Sequence, residues 1–133
     1  MRQTRPQTPN YVAIEELFAH RNSKWTAPVV LHLRSETMRF TELQRDIGTI
    51  SQKALSATLR ALERDGFVTR TSYPTIPPRV DYELTELGTE ILALLEGFEA
   101  FATRHWSRVL DARRTFDDNQ SQQTIYLLRA SGE

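Results

Sequence analysis

One segment in the middle of this sequence is marked as a helix at both ends, and it limits the possible folds more than any other. Residues 52–65, QKALSATLRALERD, follow Ser51, whose side chain can accept a hydrogen bond from a free backbone N–H at a helix start. Gly66 comes directly after them, where a left-handed residue often ends a helix. The face that must point into a core is marked by leucines at helical spacing, Leu55, Leu59 and Leu62.

The elements before this helix are shorter. Asn10 can cap a first helix over residues 11–20, and a second should begin near residues 23–25, with Pro28 within or close to its first turn, where a missing N–H costs least. The second helix is expected to carry inward the side chains of Val29, Val30 and Leu33.

A third, short helix is predicted over residues 41–47. Thr41 is followed three residues later by Gln44, which is the capping-box pattern, and Gly48 can end the helix. Only the four residues GTIS then separate this helix from the well-marked one.

Two alternating runs, FVTRTSY and RVDYELT, come next and predict a pair of antiparallel strands. The loop that joins them contains Pro74, Pro77 and Pro78, which cannot donate to a sheet ladder. Either these prolines stiffen the loop for binding, or they only protect an exposed hairpin end from pairing with other chains. The second strand should present on one face the side chains of Val80, Tyr82 and Leu84.

A last, long helix is predicted over about residues 86–114, capped by Thr85. Its apolar stripe would run along roughly 40 Å at 1.5 Å per residue. Such a stripe either covers the rest of the domain or, where it continues past it, packs against a second chain. After Phe116 the chain turns polar, before a short TIYLLR that could be a docking strand or an extra turn of helix.

The order of these elements is helix, helix, short helix, turn, capped helix, hairpin, long helix. This is the order of a winged helix-turn-helix domain, in which the second helix of the turn motif enters the DNA major groove. We therefore predict a mainly α fold with a small β-hairpin (α+β), with an N-terminal helix and a long C-terminal helix for dimerisation. We assign residues 1–10 to a flexible N-terminal arm, 11–115 to the domain with its dimerisation helices, and 116–133 to a C-terminal tail.

Charge is distributed unevenly along a chain whose net charge is zero. The sequence carries +2 over residues 1–38, +3 over 39–80 and −5 over 81–133. A basic middle segment suits a face that approaches a polyanion, although charged helix surfaces often serve solvation alone.

Several function classes lack the residues they need. The chain has no cysteine, which excludes disulfides and thiolate metal sites, and its five glycines never approach a phosphate-loop spacing. The three histidines are scattered, so packing or surface roles are favoured over metal binding. Trp25 and Trp106 could line a ligand cavity, but core or interface positions are the better interpretation. We expect no enzymatic activity, no metal, no cofactor and no membrane association.

Four stretches of the sequence resemble the HxlR-type winged helix-turn-helix transcriptional regulators over about residues 10–106. They are KW at 24–25, RFTEL at 39–43, GTISQKALSATLRALERDGFVTR at 48–70 and YPTIPPRVDYELTELG at 73–88. The resemblance implies a dimeric DNA-binding regulator, with residues 50–53 at the entry of the recognition helix and 77–79 in the wing. Many members carry a sensing cysteine near the N-terminus, whereas this chain has none.

The predicted function is that of a cytoplasmic, homodimeric regulator that binds a roughly palindromic double-stranded DNA operator and possesses no cysteine-based effector response. The residues predicted to contact DNA are Arg39, Thr41, Ser51, Gln52, Lys53, Ser56, Arg60 and Arg79. Those predicted at the dimer interface are Ile14, Phe18, Leu94, Leu95, Phe98 and Phe101.

Two further hypotheses remain open from the residues. One keeps the fold but makes it a protein-interaction module without DNA binding. The other adds a small-molecule effector, of unknown identity, between the long helices. The basic residues of the central helix also have a simpler interpretation, in which they solvate it and pair with Glu63 or Asp65.

Overall fold

The computed structural model describes residues 9–19 and 23–132, apart from the side chains of Pro9, Phe18 and Ser23. The elements in those ranges are α1 (Pro9–Phe18), α2 (Ser23–His32), β1 (Met38–Arg39), α3 (Phe40–Ile47), α4 (Gln52–Arg64), β2 (Val68–Tyr73), β3 (Arg79–Leu84) and α5 (Glu86–Ser131). Contacts divide the chain into two units, Met1–Leu95 and Glu96–Glu133. Within the described residues, no helix is both long and apolar enough to cross a membrane.

The core of the first unit lies between α2, α3, α4 and the sheet. Each of these elements turns an apolar face inward, and the burial of one aliphatic side chain contributes about 1.5–3 kcal/mol. The side chains predicted to point inward from the second helix and from α4 are buried, as expected. The buried apolar side chains are those of Val29, Val30, Leu33, Met38, Leu43, Ile50, Leu55, Leu59, Leu62, Val68, Tyr82 and Leu92.

Both predicted ends of α4 are confirmed. At its start, the Ser51 hydroxyl oxygen accepts a hydrogen bond from the Ala54 N–H at 3.1 Å. At its end, Gly66 adopts a φ of +81°, and its N–H donates to the Glu63 carbonyl at 3.1 Å. The next N–H, of Phe67, donates to the Leu62 carbonyl at 2.9 Å, which completes a Schellman motif. Local sequence therefore determines the length of this helix.

Thr85 joins the start of α5 to the end of α4. Its hydroxyl donates to the Gly66 carbonyl at 2.6 Å and accepts from the Gly88 N–H at 3.0 Å, so the predicted cap is confirmed. Its own N–H donates to the Phe67 carbonyl at 3.0 Å. The ends of α4 and β3 and the beginnings of β2 and α5 consequently meet at one junction.

The sheet has three antiparallel strands in the order β1-β3-β2. The predicted hairpin is confirmed, with Val68 opposite Leu84 and Tyr73 opposite Arg79. The third strand, β1, was not predicted; it places Met38 opposite Tyr82 and therefore contributes to the core. The winged, mainly α fold with a long C-terminal helix is confirmed, with one more strand than expected.

The caps predicted for the first and third helices are wrong. The first helix begins at Pro9 rather than after an Asn10 cap, because proline is well suited to a first helical position. The third begins at Phe40, and its N-cap is Arg39 without a side-chain cap hydrogen bond, so Thr41 and Gln44 form no capping box. The second helix begins at Ser23, as predicted, and Pro28 lies inside it, just beyond its first turn.

The predicted end of the last helix is also wrong. α5 does not stop near residue 114 but continues to Ser131, so the described part of the predicted tail, residues 116–132, is helical up to that residue. The polar residues after Phe116 are compatible with a helix surface, and neither proline nor glycine occurs from residue 98 to 131.

Candidate nucleic-acid interface

The turn between α3 and α4 fixes how α4 is presented. Gly48 ends α3 with a φ of +81°, and its N–H donates to the Gln44 carbonyl at 3.0 Å. Two residues later the Ile50 side chain is buried in the core, which holds the turn against the domain. The start of α4 is therefore set by one left-handed glycine and one buried aliphatic side chain.

The two sides of α4 differ in chemistry. Leu55, Leu59 and Leu62 are buried, whereas the residues that we call the outer face are exposed: Gln52, Lys53, Ser56, Arg60 and Arg64. In the described parts of the chain, no carboxylate pairs with Lys53, Arg60 or Arg64, so pairing with Glu63 or Asp65 does not account for these cations. In the first turns of α4 the outer face thus offers the amide of Gln52, the cation of Lys53 and the hydroxyl of Ser56 beside the positive end of the helix dipole.

Two further predicted contact residues lie where β1 passes into α3. The Arg39 side chain is about half exposed, and its Nε lies 3.7 Å from the Glu42 carboxylate. Thr41 is exposed in the first turn of α3. Both side chains are exposed to solvent, and that of Arg39 lies beside the Glu42 carboxylate.

The wing consists of β2, β3 and the loop at residues 74–78, and its polar groups gather around Arg79. The Arg79 Nε and Nη2 donate to the two Asp81 carboxylate oxygens at 2.9 and 2.7 Å. The guanidinium carbon lies 5.0 Å from the centre of the Tyr73 ring. The hydrogen bonds from Arg79 lower the pKa of Asp81, against a smaller opposing effect of desolvation, and Asp81 raises the pKa of Arg79.

The loop of the wing, residues 74–78, contains no charged residue. Within it, the Thr75 hydroxyl donates to the Pro77 carbonyl at 2.8 Å, and the Ile76 side chain is fully exposed. The Ile76–Pro77 peptide bond is cis. Arg79 is therefore the cation of the wing that lies closest to this loop.

The HxlR-like helix-turn-helix family model matches residues 22–109, about two thirds of the chain. The chain belongs to this family. The resemblance seen in the sequence is confirmed, and the match includes α2, both helices of the turn motif and the whole wing of this HxlR-like chain.

Relatives of this HxlR-like chain are described as transcriptional regulators. It is 45% identical over 76 residues to the uncharacterized HTH-type transcriptional regulator YtfH of Escherichia coli K12, covering 57% of this chain and 60% of that protein. It is 35% identical to the uncharacterized HTH-type transcriptional regulator YtcD of Bacillus subtilis, covering 74% and 78%. A solved structure of the candidate transcriptional regulator ytfH from Salmonella typhimurium has a TM-score of 0.67 at 33% identity, covering 83% and 95%.

The predicted contact residues of this HxlR-like chain therefore fall into three groups. Gln52, Lys53, Ser56 and Arg60 share the outer face of α4. Arg39 and Thr41 lie at the start of α3, and Arg79 lies in the wing. Ser51 differs from the rest because its hydroxyl oxygen already caps α4.

Sequence reasoning missed Asp81 and Tyr73. In β3, Arg79 and Asp81 are two residues apart and so lie on one face of the strand, and Tyr73 is opposite Arg79 on β2. The alternation that predicted the strands contained this information, because an Arg and an Asp at i and i+2 of a strand are neighbours.

The predicted dimer residues are mostly accessible. Ile14, Leu94, Phe98 and Phe101 are between 53% and 70% exposed, which is high for large apolar side chains. Leu95 is half-buried and packs against the core of the first unit. The Phe18 side chain is outside the described residues.

The described histidines and tryptophans have contacts that are typical of packing and surface side chains. His32 Nδ1 lies 2.7 Å from the Pro28 carbonyl oxygen, and the His105 ring lies 4.9 Å from that of Phe101. Trp25 packs against the core, while the half-exposed Trp106 has the Arg113 guanidinium 5.2 Å from its ring centre. His20 lies outside the described residues.

Proposed function

We propose that this chain is a sequence-specific DNA-binding transcriptional regulator that acts in the cytoplasm as a homodimer on a roughly palindromic operator. The observation that carries the proposal is the outer face of α4. Its cations have no acidic partner within the described residues, and it lies on the helix that follows the turn in a member of a helix-turn-helix family.

The side chains on this face suit the two kinds of contact that such binding needs. Gln52 and Ser56, in the first turns of α4, can donate to and accept from base edges in the major groove. Lys53 and Arg60 supply positive charge for phosphates, which provide much of the affinity but little of the specificity. Arg64, at the end of the helix, is farther from such contacts and is left to solvent.

The homodimer rests on the exposed apolar side chains of α1 and α5. Three of them, Leu94, Phe98 and Phe101, repeat at helical spacing along α5, and burying each against a second copy would contribute about 1.5–3 kcal/mol. A two-fold dimer presents two α4 helices, so its half-sites should be separated by about one helical turn of some 10 bp, or a multiple. An effector, if one acts on this protein, must work without thiol chemistry because the chain contains no cysteine.

Selection of bound duplexes from a random library tests DNA binding and specificity together. We expect the enriched sequences to share two inverted half-sites at this spacing. A single unrepeated site would contradict the dimeric model. No salt-sensitive binding to any duplex would contradict DNA binding and leave the protein-interaction module as the function of the fold.

Lys53→Ala tests the role of the outer face. If Lys53 contacts a phosphate, the slope of log K against log salt should fall in magnitude by about one unit, and selected and random duplexes should both bind more weakly. Arg129→Ala, which also removes one exposed cation but at the end of α5, is the matched control and should leave the slope unchanged. A normal slope with altered sequence preference would instead place Lys53 against a base.

Phe98→Asp tests the dimer. A charge introduced into a buried apolar interface should raise the dimer dissociation constant at least about tenfold, measured by analytical ultracentrifugation. Ile76→Asp introduces the same charge at an exposed apolar position in the wing and should leave the dimer intact. Equal dissociation constants for both variants would refute an α5 interface.

A further inference from the structure

Asp81 is a buried carboxylate on the middle strand of the sheet, and the outer-face contacts proposed above give it no role. We propose that Asp81 is a positioning residue that holds the Arg79 guanidinium in place for a DNA phosphate. The inference rests on the proposed function, since it concerns how the wing of a DNA-binding protein presents its cation.

The geometry fixes the guanidinium plane. Asp81 accepts two hydrogen bonds, from Nε and Nη2 of Arg79, in the side-on arrangement that restricts both the position and the rotation of the group. The Tyr73 ring lies against the guanidinium, with 5.0 Å between the ring centre and Cζ. A carboxylate and an aromatic ring therefore hold one long side chain, which would otherwise occupy many rotamers.

The arrangement leaves Arg79 able to bind. An arginine has five N–H donors and Asp81 takes two, so both hydrogens of Nη1 and one of Nη2 remain for a phosphate. The Arg79 side chain is 42% exposed, whereas that of Asp81 is 7% exposed. The cation thus faces solvent and the anion lies beneath it.

Arg39 supports the same carboxylate from the other neighbouring strand. It is opposite Asp81 in the register of β1 and β3, and its charge also helps to lower the pKa of Asp81. The Glu42 carboxylate lies 3.7 Å from the Arg39 Nε, so Arg39 also has an acidic neighbour in α3. Asp81 therefore stays ionised and keeps Arg79 in place at neutral pH.

Asp81 could act on DNA binding in two ways, by repelling phosphates or by positioning Arg79, and these predict opposite effects of Asp81→Asn on affinity. The substitution removes a negative charge from a face that meets a polyanion, so a purely repulsive role predicts tighter DNA binding. Loss of positioning predicts weaker binding, by roughly three- to tenfold, because a freed arginine must be ordered when the complex forms. Binding at least as tight as that of the unchanged protein would overturn the inference.

A double-mutant cycle separates positioning from damage to the fold. With Arg79→Ala already present there is no guanidinium to hold, so adding Asp81→Asn should not weaken binding further. Further weakening in that background would show a general structural role and overturn the inference. Asp81→Glu, which keeps a carboxylate, should recover part of the affinity that Asp81→Asn loses.

Glu83→Gln is the matched control. Glu83 lies on the same face of β3, and its carboxylate accepts from the Thr37 hydroxyl at 2.7 Å. This variant should bind the selected duplex as tightly as the unchanged protein or more tightly, and weakening as large as that of Asp81→Asn would overturn the inference. Failure of the unchanged protein to bind any duplex would refute the proposed function itself, whereas normal binding by both it and Asp81→Asn refutes only the role of Asp81.

Discussion

Gly88→Ala should destabilise the protein, although alanine normally favours a helix over glycine. Gly88 lies in the first turn of α5, close to the chain that leaves α4. A Cβ at this position would lie 2.1 Å from the Phe67 carbonyl oxygen and 3.2 Å from the Leu84 Cβ. Because the first of these neighbours is a backbone atom, no rotation of a side chain can relieve the clash.

The magnitude follows from three contributions. The Phe67 carbonyl must move by about 1 Å to reach an ordinary contact, and crowding of this kind costs about 1–3 kcal/mol. That carbonyl accepts the Thr85 N–H, so the movement also weakens a hydrogen bond with a net value of about 1 kcal/mol. Because alanine favours a helix more than glycine does, the substitution also stabilises the protein by about 1 kcal/mol. The net loss is about 1–3 kcal/mol, or a fall in Tm of roughly 3–15 °C for a chain of this size.

The same substitution elsewhere in α5 is the control. In the single chain a Cβ at Gly97 has no neighbour within 4 Å, so Gly97→Ala should stabilise the fold of each chain by about 0.5–1 kcal/mol. Thermal unfolding followed by circular dichroism, at one protein concentration, measures both variants. A Tm for Gly88→Ala equal to or above that of the unchanged protein would refute the reasoning.

Three other predictions concern single elements. Ser51→Ala should cost about 1 kcal/mol in urea unfolding because the Ala54 N–H loses its acceptor, and Ser51→Asp should retain most of that stability; equal losses would contradict a capping role. Asp81 has a lowered pKa, so its ion pair stabilises the protein above the ordinary carboxyl pKa of about 4 and is lost as pH falls through the lowered value. The urea midpoint of Asp81→Asn should therefore lie below that of the unchanged protein at pH 7, and the gap should close in strong acid; a constant gap would argue against the pair. Replacing Pro77 and Pro78 by glycines should weaken DNA binding while leaving the dimer intact if a stiff loop aids binding, and unchanged binding would leave the prolines a protective role only.

The features predicted most accurately from the sequence are those that depend on residues close together in the chain. α4 depends on Ser51, Gly66 and three leucines, all within 16 residues, and each behaves in the structure as its residue type suggests. The hairpin was predicted from alternation alone and has the expected strands. In both cases the signal and the structure it determines lie in the same segment.

The missed features depend on residues far apart in the chain. β1 is two residues long and forms because Met38 and Arg39 pair with residues more than 40 positions later, which no local pattern shows. The start of α3 follows from that strand, so the Thr41 pattern was misleading. For α5, the polar composition after Phe116 predicts an end of the helix that does not occur, because glutamine and aspartate on a helix surface do not stop a helix.

In the candidate site, too, some features were predicted from the sequence and others were not. The outer face of α4 was predicted because helical periodicity separates Gln52 and Lys53 from the buried leucines. The partner of Arg79 was not predicted, because the pairing of Arg79 with Asp81 depends on the strand that places these two side chains on one face. The DNA sequence that α4 would contact depends on groups of the partner molecule.

The junction at Thr85 has a consequence for how the protein opens. The Phe67 N–H donates to the Leu62 carbonyl in the last turn of α4, and the Thr85 N–H donates to the Phe67 carbonyl. The Gly88 N–H donates to the Thr85 hydroxyl oxygen. Hydrogen exchange at these three amides should therefore occur together and slowly, as one cooperative unit. Neither α4 nor the beginning of α5 can fray alone at this point, so a motion that begins in the first turn of α5 would reach the end of α4 without an intervening flexible joint.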